Sequence, residues 1–214
     1  MAYRRTANVI SRMRDNRSKI LAAALDMVAE GGWQNAQMAR VARRAGVSVG
    51  SVYRYFPSKA ALFSEVLATV STRETGVLAQ IAETNAKPAF RLRRALSTFV
   101  SRALQGRRMA YAMIAEPCEP GIDATKVEWR RKLSETFLKI VEDGQRTGDF
   151  YSGDPLTATA CLAGALMEPL AGPLAPTEEL DEVRVRALSH EITETCMRLV
   201  CTPDAACEVE EKEQ

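Results

Sequence analysis

Residues 45–59 read "AGVSVGSVYRYFPSK". Two tyrosines, an arginine and a phenylalanine fill positions 53–56, directly after small residues and serines, in a chain with only 6% aromatics. Ser48 stands where a helix N-cap belongs, because its hydroxyl can accept from a free amide of the first turn. A short helix through "VGSVYRYF" follows from that cap. Upstream, "MARVARRAG" puts Met38, Val41, Ala42 and Ala45 on one helical face, and Gly46 stops the run. The connection is too short for two helices to lie antiparallel, so they cross steeply as a helix-turn-helix pair.

Working outward, "RSKILAAALDMVAEGGW" repeats Ile20, Leu21, Ala24, Leu25 and Val28 at helical spacing and ends at Gly31-Gly32. This first helix supplies the apolar support that two short helices cannot give each other. Pro57 suits the first turn of a fourth helix, which continues through "SKAALFSEVLATV".

Beyond residue 86 the pattern stays helical. Pro88 opens a helix with a Leu92, Leu96, Phe99, Ala103 stripe, and "RRMAYAMIAE" is a short Met-rich helix ended by "EPCEPG". A long helix spans 125–146, with Leu133, Phe137, Ile140, Val141 and Gly144 on one side. Then come a loop, a small-residue helix and a last helix, at 154–171 and 178–200, with Pro169 ending or kinking the first of these. The fold class is all-α: an N-terminal three-helix helix-turn-helix domain and a C-terminal helical domain. The expected division is a basic arm at 1–13, a DNA-binding domain at 14–70, a regulatory and dimerisation domain at 71–203 and an acidic tail at 204–214.

Charge divides the chain. Residues 1–59 hold 11 Lys/Arg against 3 Asp/Glu, and the remainder holds 18 against 24. A basic head on an acidic body points to a polyanionic partner; a solvated helical surface is the alternative. No apolar run approaches the roughly 20 residues of a membrane span. The N-terminus lacks the apolar core of a signal peptide, so a cytoplasmic location is expected. The five cysteines include no CxxC pair, and His190 is the sole histidine, so neither a metal site nor a cofactor is expected.

On Gly32-Trp33, Val41-Ala42, "AGVS", Gly50, "YRYF" and Lys59, the stretch "GGWQNAQMARVARRAGVSVGSVYRYFPSKAAL" resembles the DNA-binding domain of the TetR family of bacterial transcriptional regulators. The specific likeness covers residues 14–70, and beyond it only the architecture matches. A helix entering a major groove needs small residues at its start so that its backbone can approach, and Ser48, Gly50 and Ser51 provide that clearance. Tyr53 and Tyr55 each join an apolar body to a hydroxyl, which suits packing plus a phosphate contact. The resemblance assigns both tyrosines, and Lys59, to the DNA backbone.

Val52 and Phe56 are read as core. Val49, Ser51, Arg54, Gln37 and Met38 are the candidates for base readout. Gln37 departs from the Thr common there in the family and caps poorly, so Asn35 is expected to take over as cap. Arg43 and Arg44 flank the backbone or are solvated, and Arg4 and Arg5 could reach the minor groove as an arm, as in some family members.

One such module reads about one half-site, so a homodimer on a palindromic operator is expected. The resemblance implies pairing through the last two helices; Ala158, Cys161, Leu162, Ala165 and Leu166 form a seam of small residues facing Leu188, Ile192, Cys196 and Leu199, and burial within one chain would produce the same pattern. The middle helices would enclose a small-molecule effector pocket, with Phe99, Met109, Tyr111, Met113, Trp129, Leu133 and Phe137 as lining candidates; ordinary core packing gives the same stripes. Such walls favour an apolar or aromatic effector. Cys118, between carboxylates, has its thiolate disfavoured, which argues against a redox sensor.

The functional expectation is a ligand-responsive repressor released from DNA by its effector. An activator or partner-recruiting regulator with the same head is the alternative. An enzyme with a vestigial head finds no nucleophile–base pair, metal cluster or phosphate loop to support it.

Overall fold

A computed structural model describes residues 7–118 and 120–205, with side chains for all of these except 7–12 and 120. Arg4, Arg5, Cys207 and the tail from residue 206 lie outside the described residues. Among the described residues nine α-helices follow one another: α1 (Ala7–Asn35), α2 (Met38–Ala45), α3 (Val49–Tyr55), α4 (Lys59–Ala82), α5 (Pro88–Gln105), α6 (Arg107–Ile114), α7 (Pro120–Thr147), α8 (Pro155–Met167) and α9 (Glu182–Val200), with a single 3-10 turn at Glu168–Leu170 after α8. Among the described residues there is no strand, only one isolated antiparallel bridge between Phe150 and Cys201. The all-α expectation matches.

The head is α1–α3 with the start of α4. Its core joins Ile20, Ala24, Met27 and Val28 of α1 to Val41 and Ala42 of α2, Val52 and Phe56 of the third element, and Leu62, Phe63, Val66 and Leu67 of α4. Trp33 packs on Phe63 with ring centroids 4.9 Å apart. Gly46 ends α2 at φ 67, ψ 33, a left-handed conformation that favours glycine, and its N–H caps the helix. α3 begins on Ser48, whose Oγ accepts from the Ser51 N–H at 3.1 Å.

Three local expectations are corrected. Pro57 precedes the fourth helix instead of lying in its first turn; Ser58 is the cap, accepting from the Ala61 N–H at 3.0 Å. Asn35 does not cap α2, because its Nδ2 donates to the Met27 carbonyl at 2.8 Å. Gln37 holds the cap position without a side-chain cap bond. α4 runs unbroken to Ala82, so the expected domain boundary after residue 70 falls inside a helix shared by head and body.

In the body α4 packs on α5 and α7, α7 on α8, and α9 on α5 and α8. Buried arginines tie these helices together. Arg91 donates to the Ala82 carbonyl at 2.7 Å, closing the end of α4, and to Asp143 Oδ2 at 2.8 Å. Arg93 of α5 pairs with Glu194 of α9 through its two terminal nitrogens, Nη1 and Nη2. Leaving either partner of such a pair alone in the core would be costly, so each fixes a helix contact.

Candidate DNA interface and effector cavity

The cap and the small first turn of α3 leave one side of that helix bare. Val49 is 41% exposed and Tyr53 48% exposed. Ser48, Gly50 and Arg54 are exposed beside them, while Ser51, Tyr55 and Lys59 are half-buried. Val52 and Phe56 turn inward, at 0% and 3% exposure, and anchor the helix. A Cβ at Gly50 would meet nothing within 4 Å, so the fold itself does not require glycine there. The Arg54 guanidinium lies 5.5 Å over the Tyr55 ring, and Lys59 Nζ lies 5.2 Å over Phe63.

Gln37 is exposed, with Nε2 donating to the Gln34 carbonyl at 2.9 Å. Met38, expected as a base reader, is 7% exposed and packs in the head core. That expectation is corrected: the first turn of α2 faces inward on that side. Arg44 is bonded to Glu30 at 2.7 Å on the surface, whereas Arg43 is exposed.

The end of α1 locks the head to the body. Gly32 sits at φ 72, ψ −169, a region open essentially to glycine alone, and breaks α1 before Trp33. Trp33 Nε1 donates to the Ala112 carbonyl of α6 at 2.7 Å. Arg108 of α6 donates to the Gly31 carbonyl at 2.9 Å and forms two 2.9 Å bonds with Glu116. Lys126 of α7 donates to the Glu116 carbonyl at 2.5 Å. A Cβ on Gly32 would come within 1.6 Å of Arg108 Nη2. In the sequence Gly31-Gly32 marks a helix end and Gly32-Trp33 a family feature, but the contact with α6 is not legible there, because a partner some 80 residues away leaves no trace in local spacing.

Above this junction α1, α4, α5, α6 and α7 surround a cavity of about 550 Å³, within the usual range for small-molecule sites. Phe99, Met109, Met113 and Trp129 line it as expected. Tyr111, Leu133 and Phe137 do not: the last two are fully buried in the core, and Tyr111 lies 5.6 Å from the Arg108 guanidinium, outside the cavity. Its floor is apolar, and its rim carries Arg73, Glu74 and Arg102, with Arg102 bonded to Glu74 at 2.7 and 2.8 Å. Leu25, Asp26 and Ala29 of α1 form one wall. Sequence reading missed those three, since a helix stripe does not distinguish a core face from a cavity face.

The residues expected at a dimer seam divide. Leu162, Leu166, Leu188, Ile192 and Cys196 are buried within the chain, packed by α7, α5 and each other's helices, which corrects their assignment to an outer face. Cys161 and Leu199 are exposed, and Ala158 and Ala165 are half-buried. Leu156 and Gly164 are exposed on the same helix as Cys161. Cys118 Sγ donates to Asp123 Oδ1 at 3.0 Å; burial and then this bond push its thiol pKa up. Burial alone raises Cys196 to about 11. Among the described residues no group of three His, Cys, Asp or Glu could hold a metal ion, and no helix is long and apolar enough to cross a membrane.

A helix-turn-helix head with a bare, serine-capped third helix, joined to a helical body with a cavity, defines a class of DNA-binding regulators. The family model for bacterial regulatory proteins of the tetR family matches residues 20–66. The chain is 32% identical over 144 residues to the HTH-type transcriptional repressor KstR of Mycolicibacterium smegmatis, covering 64% of this chain and 69% of that protein. It is 30% identical over 143 residues to KstR of Mycobacterium tuberculosis, spanning 64% of that protein's length. Among solved structures, FadR from Bacillus subtilis, in complex with stearoyl-CoA, superposes with a TM-score of 0.71 at 20% identity over 84% of this chain and 97% of that one. The protein belongs to the TetR family.

Proposed function

We propose that the protein is a transcriptional repressor that binds a palindromic operator as a dimer and is released by a small apolar or aromatic effector. The carrying observation is the cavity wall supplied by Leu25, Asp26 and Ala29 of α1. An occupant there touches the helix that supports α2 and α3, so pocket contents and head orientation are coupled without an intermediary. The likeness to two KstR repressors supports the repressor reading, and a fold neighbour that holds stearoyl-CoA supports a cavity open to apolar molecules.

In this reading Val49, Ser51 and Arg54 face base edges, and Ser48, Tyr53, Tyr55 and Lys59 hold phosphates, with Gly50 allowing close approach. Gln37 lies at the edge of the same surface. The dimer forms through the outward faces of α8 and α9, with Leu156, Cys161, Gly164 and Leu199 central. An effector must favour the head orientation that fits the operator poorly, since equal affinity for both states shifts nothing. Operator and effector then weaken each other by the same factor.

Selection of bound duplexes from a random DNA pool with the purified full chain tests this. A two-fold symmetric site is expected. Recovery of salt-sensitive but sequence-blind duplexes overturns the operator reading.

A further inference from the structure

Phe56, Pro57 and Ser58 join the helix that presents the bare face to the helix that Lys59 opens. Two of the phosphate candidates flank this corner: Tyr55 ends α3, and Lys59 begins α4. Their spacing, and with it their fit to the DNA backbone, follows from the angle at which the two helices meet. Phe56 closes α3 with its N–H on the Val52 carbonyl at 2.9 Å, then leaves the helix in an extended conformation at φ −131, ψ 97. Ser58 is extended as well, at φ −146, ψ 164. A third helix reaches across this link. Arg17 of α1 places its guanidinium carbon 5.1 Å from the Phe56 ring centroid and pairs through Nη2 with Glu65 Oε1 at 2.9 Å. One side chain thus touches the residue that ends α3 and a residue in the second turn of α4.

We propose that Arg17 is a positioning residue for DNA binding: it holds the end of α3 against the start of α4 and so sets Tyr55 and Lys59 at the spacing of the phosphates they take. This rests on the reading of those two residues as phosphate contacts. A guanidinium suits the task, because it can stack on a ring and donate to a carboxylate from its edge. The side chains of Arg17 and Glu65 are 45% and 38% exposed, and contacts so open to water add little to overall stability. Their consequence is geometric. Arg17 also carries charge, so a direct contact with DNA is the reading to separate from this one. As a positioning residue Arg17 works with Glu65; in a direct contact Glu65 competes with the phosphate. Removing Glu65 therefore changes affinity in opposite directions under the two readings.

The test is the slope of log affinity against log salt on a mixed-sequence duplex, read by fluorescence anisotropy. It compares the full chain with Arg17→Met, Glu65→Ala, Lys59→Ala and the double variant Arg17→Met, Lys59→Ala. Methionine keeps an apolar stem over Phe56 and removes the guanidinium. Arg17→Met and Glu65→Ala should each weaken binding about fivefold and flatten the slope by up to about one unit, the share of one phosphate contact. Their thermal midpoints should move by no more than about 4 °C, as for an exposed pair. The double variant should show the slope of Lys59→Ala alone, because Arg17 acts through that contact. Tighter binding by Glu65→Ala, or a double variant that loses a second unit of slope, makes Arg17 a phosphate contact in its own right and overturns the positioning role. An unchanged slope in Arg17→Met overturns it too, as does an unchanged slope in Lys59→Ala, which removes the contact being positioned. Should Arg17→Met fail to fold, Glu65→Ala decides from the other end of the same bridge. The operator is scored separately by duplex selection: the expected slopes without a symmetric site overturn the operator reading and leave this one standing, and a symmetric site with additive slopes does the reverse.

Discussion

The indole nitrogen of Trp33 lies 2.7 Å from the carbonyl oxygen of Ala112, 79 residues further along the chain. That bond pins the corner of the head to α6, and the neighbouring residues Met109, Ala110, Met113 and Ile114 of α6 face the cavity. Arg108 reinforces the junction from the same helix by holding the Gly31 carbonyl and the Glu116 carboxylate together. The head is therefore held by the same helix that lines the cavity.

Gly32→Ala should damage this junction severely. The backbone at φ 72, ψ −169 is strained for any residue with a Cβ, and that atom would strike Arg108. Backbone strain and displacement of a paired arginine together predict a loss of about 2–4 kcal/mol. Urea unfolding followed by circular dichroism reads it directly. A variant within about 0.5 kcal/mol of the parent, the range of an ordinary surface change, would contradict the junction geometry.

Gly50→Ala separates folding from DNA binding. A Cβ there meets nothing in the protein, and alanine favours a helix over glycine by roughly 0.5–1 kcal/mol. The thermal midpoint should therefore hold or rise while operator affinity falls, because the added methyl stands between α3 and the groove. Unchanged operator affinity would remove Gly50 from the interface.

Lys59→Ala should weaken binding to all DNA sequences alike and reduce the slope of log affinity against log salt by about one unit, as expected for one lost phosphate contact. Substitutions at Val49 or Ser51 should instead shift sequence preference at an unchanged slope. Fluorescence anisotropy across a salt series distinguishes the two patterns, and an unaltered slope in Lys59→Ala would exclude the phosphate contact.

Acid should loosen the body at Asp143. The hydrogen bond from Arg91, and secondarily that from Arg146, holds its carboxyl below the usual carboxylate range despite opposing burial. A depressed native pKa adds stability above the unfolded value of about 3.9, and that stability disappears as pH falls through the lower native value. Asp143→Asn should consequently destabilise the protein at pH 6 and lose that difference towards pH 3. A constant difference between the two proteins across this range would rule out the linkage.

What could be read in the sequence was what local chemistry marks. Ser48 as a cap, Gly46 as a left-handed stop and Pro88 as a helix start each act within a few residues, and the structure has all three. Long-range choices were not legible. Asn35 had a competing partner in the Met27 carbonyl, and Met38 lay on the buried side of a two-turn helix. Leu133 and Phe137 share a stripe pattern with Trp129, but only the last meets the cavity. The pairs Arg102–Glu74 and Arg93–Glu194 join residues 28 and 101 positions apart, where spacing carries no information.

Because α1 both supports the helix-turn-helix pair and supplies Leu25, Asp26 and Ala29 to the cavity, head and body are not interchangeable modules. A chimera that imported another regulator's first 58 residues would replace one wall of the binding site along with the groove-facing helix. Operator choice and ligand choice would then change together. Grafting only the stretch from α2 through α3 leaves that wall in place, and is the exchange by which this body could be given a new address on DNA.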